Sequence, residues 1–249
     1  MALWTLVPGL SYDDKNHNGD YKSFTRLYTS ETLQSLTLIK CVSLDVPVHV
    51  RLPSLKTLSL GFVTYADMSL QRLLSGCPNL EALSVEHRSE DSPMDVTVVL
   101  PSLQRLHMSH NKTRGTYVLN VPSLKYLKCS GMSSNNLLQI KNMPELVTAH
   151  VIFCGATHKF LKALTSVRRL KLWITRPEKL GWGSRFSNSG RKIPTGWKPP
   201  SSVPECLLHS LEAFEWLRYR GRHGDKEMAA YGPNTNLHRG GGHVVQIYK

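Results

Sequence analysis

"LPSLKTLSL" fills Leu52–Leu60, and nearly the same nine residues return as "LPSLQRLHM" from Leu100 and "VPSLKYLKC" from Val121. Aligned on Leu-x-x-Leu-x-Leu, more copies emerge. "TLQSLTL" places Leu33, Leu36 and Leu38; "SLKTLSL" places Leu55, Leu58 and Leu60; "NLEALSV" places Leu80, Leu83 and Val85. "SLQRLHM" gives Leu103, Leu106 and Met108, "SLKYLKC" gives Leu124, Leu127 and Cys129, and the weaker "ELVTAHV" gives Leu146, Ala149 and Val151. "SVRRLKL" (Val167, Leu170, Leu172) and "SLEAFEW" (Leu211, Phe214, Trp216) complete the series. First positions are spaced 22, 25, 23, 21, 22, 21 and 44 residues apart, the last as if one copy were missing or unrecognisable.

The spelling has a physical reason. Apolar residues two apart fall on one face of a strand, and the Leu three positions earlier turns the chain into it. One copy cannot bury that face, so neighbours stack and share a continuous core. A proline before each strand (Pro53, Pro78, Pro101, Pro122, Pro144) suits a turn with fixed φ and no donor to waste. A period of roughly 20–29 residues with this core is the leucine-rich-repeat signature. The expected fold is α/β: an irregular leucine-rich-repeat solenoid with a curved parallel sheet on its concave side and helices and loops on its convex side. Only Cys41 and Asn111 fall at the usual Cys/Asn ladder position, where other copies have Val63, Arg88 and Met132. In "ADMSLQRLLSGCPNL", Leu70, Leu73 and Leu74 predict a return helix that Asp67 caps and Gly76 ends. "KFLKALTSV" predicts a second, and elsewhere the return reads as loop or short strand.

Composition narrows the function. The 249 residues include 41% hydrophobic ones, enough for a sizeable core, and no apolar run long enough to cross a bilayer. The start, "MALWTLVPGL", has no basic leader and is not read as a signal peptide. Five scattered cysteines without a CxxC argue against a disulfide framework and for a reducing compartment, the cytoplasm or nucleus. In that compartment the sequon at Asn111 carries little meaning. The net charge of +13 is uneven: residues 1–150 hold 14 Lys/Arg against 12 Asp/Glu, and residues 151–249 hold 17 against 6. Between Lys159 and Lys198 basic residues face only Glu178, a block able to attract nucleic acid or an acidic partner, or simply to be solvated.

No catalytic or phosphate-loop motif occurs, and the Gly240–Gly242 run lacks the strand and helix a phosphate cradle needs. Cys154 with His158, and Cys206 with His209, have metal-compatible spacing but no second pair, and Asp13-Asp14 reads as a solvated loop. An enzyme is therefore not expected, nor a metal or cofactor. The array instead offers the side chains that alternate with its core leucines. Early copies show Ser35, Thr37, Thr57, Ser59, Ala82 and Ser84; later ones show Arg105, His107, Tyr126, Lys128, His150, Arg169, Lys171 and Trp173. The face shifts from small and neutral to basic and aromatic, and Arg, Tyr and Trp are enriched at binding hot spots. Those last eight residues are the candidate partner-binding site, for a partner with an acidic surface.

Ser30–Ile174, above all "LPSLKTLSLGFVTYADMSLQRLLSGCPNLEALSV", resembles the leucine-rich part of the plant F-box proteins that also carry an FBD domain. "PSSVPECLLHSLEAFEWLRYRGRHGDKEMAAY", from Pro200 to Tyr231, resembles the start of the FBD domain, and "LWTLVPGLSYDDKNHNGDYKSFTR" resembles the linker that follows the F-box. The expected organisation is a residual post-F-box linker over 1–29, repeats over 30–174, an irregular basic insert over 175–199, a partial FBD domain over 200–231 and a disordered tail over 232–249. The F-box itself is not recognised, and the tail lacks the closing strand of a full FBD domain. The resemblance implies substrate recognition for a cullin-based (SCF-type) ubiquitin ligase, in which an F-box docks a Skp-type adaptor and the repeats hold the target. This chain is expected to bind an unidentified, acidic target without recruiting the adaptor. Two alternatives stand beside that reading: a basic nucleic-acid-binding protein, and a truncated product without function. Leu211, Phe214 and Trp216 are expected to cap the array's open end.

Overall fold

The computed structural model describes residues 2–6, 27–39, 44–65, 68–86, 96–109, 115–133, 136–141, 143–154, 164–175, 210–217, 238–240 and 244–248. Its spine is a sheet built from successive copies: β2 (Leu33–Ile39), β3 (Thr57–Gly61), β4 (Ala82–Glu86), β6 (Arg105–Ser109), β8 (Tyr126–Ser133), β10 (Thr148–Cys154), β11 (Arg169–Thr175) and β12 (Ala213–Leu217). They pair in parallel in that order. Leu36, Leu58, Leu83, Leu106, Leu127, Ala149, Leu170 and Phe214 are register partners from strand to strand, and all are buried. Leu38, Leu60, Val85, Met108, Cys129, Val151 and Leu172 form a second buried row. The leucine-rich-repeat solenoid expected from the spacing is the fold observed.

The residue that enters each strand is also buried, from Leu33 to Leu211. Its N–H closes a tight turn onto the carbonyl three residues back: Leu55 to Leu52, Leu80 to Cys77, Leu103 to Leu100, Leu124 to Val121, Leu146 to Met143. The prolines occupy the second position of this turn, where φ is already correct and no N–H is required. The acceptors Leu52, Cys77, Leu100, Val121, Met143 and Leu164 are themselves buried and add a further apolar row. A polar ladder runs along the same turns. Ser54 donates to the carbonyl of Glu31, Asn79 to Pro53 (2.9 Å), Ser102 to Pro78 and Leu80 (2.9 Å each), Ser166 to Met143 (3.0 Å) and Ser210 to Thr165 (2.8 Å). Each side chain thus satisfies carbonyls of the preceding rung. Cys41, Arg88 and Asn111, at the ladder position expected from the sequence, lie outside the described residues.

Among the described residues the return side holds more strand than helix. β5 (Val96–Val99), β7 (Gly115–Asn120) and β9 (Asn136–Lys141) form their own parallel sheet, as the short-strand reading expected. Among the described residues the α-helix is α1 (Ser69–Ser75), with Leu70, Leu73 and Leu74 buried. Its N-cap is Met68, in the left-handed region at φ 59° and without a side-chain cap, while Asp67 lies outside the described residues. Side chains of α1 instead clasp the preceding rung: the Ser69 hydroxyl accepts from Val46 N–H at 3.2 Å, and Arg72 donates to the Val46 carbonyl at 3.2 Å. Gly76 ends the helix as expected. The second expected helix, over "KFLKALTSV", falls largely outside the described residues.

The two ends of the sheet bring corrections. β1 (Ala2–Leu6) pairs in parallel with β2, so a strand from the expected linker covers the first rung. Across the 44-residue spacing β11 pairs directly with β12, so no rung stands between them in the long sheet, which agrees with a missing copy. The tail expected to be disordered instead contributes β13 (His238–Gly240) and β14 (Val244–Tyr248). β14 pairs antiparallel with β12, and β13 with β14, so two strands of the tail close this end of the sheet. β12 is therefore an interior rung and β13–β14 the outer edge. "VVQIY" is rich in β-branched and aromatic residues, which favour a strand, a signal that the neighbouring glycine run obscures.

Candidate functional site

Side chains that alternate with the core rows emerge on the opposite face of the long sheet. Register places Arg105, Tyr126, Thr148, Arg169 and Ala213 in one cross-strand row. His107, Lys128, His150, Lys171 and Glu215 form the next, and Ser130, Ile152 and Trp173 lie in a third. All eight candidate residues thus share one face, carried by β6, β8, β10 and β11. Parallel pairing without offset turns equivalent positions of successive repeats into neighbours about 5 Å apart.

The face is cross-linked. The Tyr126 hydroxyl and His150 Nδ1 are hydrogen-bonded at 3.1 Å, with the rings edge-on at 5.3 Å between centroids. Ser84 Oγ and His107 Nδ1 are hydrogen-bonded at 3.2 Å. Lys171 Nζ meets Glu215 Oε2 at 2.9 Å. Burial pushes the His150 imidazole below its ordinary range, and Lys171 and Lys128 push the same way while Glu215 opposes them. Burial and Lys128 do the same to His107, against Glu86. Both rings are therefore neutral near pH 7, and the positive charge rests on Arg105, Lys128, Arg169 and Lys171. Arg105 and Arg169 are exposed.

A hollow of about 200 Å³ opens where β10, β11 and β12 meet, lined by Thr148, His150, Arg169, Lys171, Ala213 and Glu215, with the buried Leu170 and Phe214 beneath. Thr148 and Glu215 were missed as site residues. The alternation rule reaches both: Thr148 lies two before His150, and Glu215 lies between Phe214 and Trp216. A capping role for the "SLEAFEW" rung would leave Glu215 outside the face, whereas its register with Lys171 puts it on the face. Among the described residues no group of His, Cys, Asp and Glu could hold a metal ion. His158, Cys206, His209, Asp13 and Asp14 lie outside them. Cys77 and Cys129 are free thiols that burial pushes up to about 12, which suits packing and not nucleophilic chemistry. No described helix is long and apolar enough to cross a membrane.

Residues 10–170 match the family described as FBD-associated F-box protein At5g56370, LRR repeats, and residues 198–231 match the FBD family. Among curated proteins, F-box/FBD/LRR-repeat protein At4g26340 of Arabidopsis thaliana is 39% identical over 341 aligned positions, covering 93% of this chain and 81% of that protein. Those positions outnumber the 249 residues here, so the relative carries internal sequence without a counterpart in this chain. FBD-associated F-box protein At4g10400 of the same plant is 35% identical, covering 93% of this chain and 67% of that protein. F-box/FBD/LRR-repeat protein At3g52680, also from Arabidopsis thaliana, is 36% identical, covering 82% of this chain and 55% of that protein. The chain thus spans between about half and four fifths of the length of the curated relatives it matches. No solved structure matches it.

Proposed function

The chain belongs to the plant F-box/FBD/leucine-rich-repeat family, and we propose that it is a protein-interaction module that holds an acidic target on the open face of its long sheet. The observation that carries this reading is the alignment of Arg105, Lys128, Arg169 and Lys171 on one face of β6, β8 and β11, beside Tyr126, His150 and Trp173. Such a face supplies charge complementarity for encounter and aromatic anchors for residence. The reading assigns no catalytic step to the chain, and the partner is a protein in the cytoplasm or nucleus.

The relatives' names contain an F-box, and by that kinship the proposal gives the array the role of substrate receptor for an SCF-type ubiquitin ligase. The family matches fall on the repeats and the FBD segment, so these 249 residues are proposed to hold the target without themselves retaining a Skp-type adaptor. Two measurements test this. Proteins retained by the immobilised chain are identified by mass spectrometry, and a recovered target is expected to lose at least tenfold in affinity when Arg169, Lys171 and Trp173 become Ala. Unchanged affinity refutes the placement of the site. Direct, robust binding of a Skp-type adaptor to the chain refutes the second part.

A further inference from the structure

We propose that Glu215 occupies, from within the chain, the seat that a partner's carboxylate takes in the complex, and so sets which acidic partners the face accepts. The inference rests on the reading that this face binds an acidic protein, and it identifies the ligand group: the side-chain carboxylate of an Asp or Glu entering the hollow between β10, β11 and β12.

The hollow is composite. His150, Arg169 and Lys171 come from β10 and β11, whereas Ala213, Phe214 and Glu215 come from β12, inside the stretch that matches the FBD family. The seam between β11 and β12 carries two ion pairs of different character. Arg168 and Glu212 meet at 3.5 Å with both side chains more than half exposed, in an arrangement of little energetic weight. Lys171 and Glu215 meet at 2.9 Å with 36% and 28% of their side chains exposed, in the same cross-strand row as Lys128 and His150. The second pair lies on the binding face itself, and the chain therefore carries its own instance of the contact proposed for the partner.

The charges are unequal. Lys171 and Arg169 line the hollow against the carboxylate of Glu215, Lys128 lies one strand beyond His150 in the same row, and the His150 ring is neutral. An entering carboxylate finds Arg169 and Lys171 on one side and the Thr148 hydroxyl nearby, while its methylenes lie over Ala213, Leu170 and Phe214. A volume of about 200 Å³ takes one such side chain. Lys171 cannot serve the newcomer fully while Glu215 holds it, so the intramolecular carboxylate lowers affinity for any acid that cannot displace it. A segment with several acidic residues displaces it more readily than one with a single acid. Removing the resident charge should therefore strengthen binding, an outcome that a purely structural ion pair would not produce.

The test uses the full chain and a dye-labelled hexaglutamate peptide at about 0.15 M salt, where exposed charges more than about 8 Å apart are largely screened, read by fluorescence anisotropy with labelled oligouridylate measured alongside. Glu215→Gln is expected to tighten hexaglutamate binding about threefold to tenfold, and Arg169→Ala to weaken it by a similar factor. Glu212→Gln, which removes the exposed seam pair, is expected to change nothing. Thermal melts establish that each variant is folded; if Glu215→Gln is not, Glu215→Asp, whose shorter reach loosens the hold on Lys171, is expected to tighten binding by a smaller factor. Binding that Arg169→Ala weakens but neither Glu215 variant tightens overturns the competitor role and leaves the acidic-partner reading standing. Indifference to Arg169→Ala and Glu215→Gln together overturns both. Oligouridylate that binds more tightly than hexaglutamate, and is lost in Arg169→Ala, overturns the carboxylate assignment in favour of phosphate.

Discussion

His150 shows how much a single position on this face depends on its neighbours. Its ring is hydrogen-bonded to Tyr126, partly buried, and set between lysines on both adjacent strands, with Glu215 beyond Lys171. Burial first, then Lys171 and Lys128, disfavour the imidazolium in the fold, so the unfolded chain takes up its proton at higher pH than the folded one. Below the ordinary value of 6.5 the unfolded state then binds more protons, and stability falls as pH drops through 6.5 until the folded ring titrates in turn. An NMR titration should place the His150 midpoint below 6.5, and Glu215→Gln should lower it further by removing the one opposing charge. A midpoint at or above 6.5 contradicts this environment. His150→Gln should remove part of the acid-side loss in melting temperature. The neighbours responsible are 21 to 65 residues away along the chain, so the ring's basicity could not be read from its own segment.

At the scale of one element, Gly76 separates what a pattern announces from what packing demands. Glycine at a helix end usually supplies a left-handed residue, yet here φ is −79°, accessible to any residue. The reason for glycine is space. A Cβ at Gly76 would run into the Val50 side chain and lie 2.9 Å from the Val50 carbonyl oxygen, where the preceding rung approaches so that Leu52 N–H can donate to the Gly76 carbonyl. Gly76→Ala should cost about 1–3 kcal/mol in chemical denaturation. Adding Val50→Ala should restore only part of that, because the carbonyl remains; full restoration would point to the side chain alone. The Ser/Asn ladder makes the same point. The "PS" and "PN" spellings are plain in the sequence, but their hydrogen bonds reach a rung more than 20 residues earlier.

For the whole molecule, the question is how a stack of identical edges ends. Each strand exposes donors and acceptors that invite another strand, and a repeat array needs a stop at both ends. β1 lies against β2 at one end; at the other, β12 is followed by the antiparallel β14 and then β13. A chain ending before Val244 loses β14 and uncovers the outer edge of β12. Such a truncation should self-associate, shifting the mass seen by size-exclusion chromatography with light scattering from monomer to oligomers. A monodisperse, monomeric truncation would show that β14 is dispensable as a cap. Because β12 belongs to the FBD-matched stretch and forms an ion pair with β11 on the candidate site, the same end of the molecule both closes the stack and completes the hollow.

What the sequence determined by itself is the rung. Leu-x-x-Leu-x-Leu with a preceding proline encodes turn, strand and buried face within nine residues, and repetition at about 22 residues compels stacking, because one such face cannot be buried alone. It also determined which alternate residues face outward, and so the eight candidate positions. Tertiary structure alone decided which rungs are neighbours across the 44-residue interval, that the glycine-flanked tail returns as the closing strand, and that Glu215 meets Lys171. Those outcomes join residues from 27 to 44 apart, and no local period carries information about where a distant strand finds its partner.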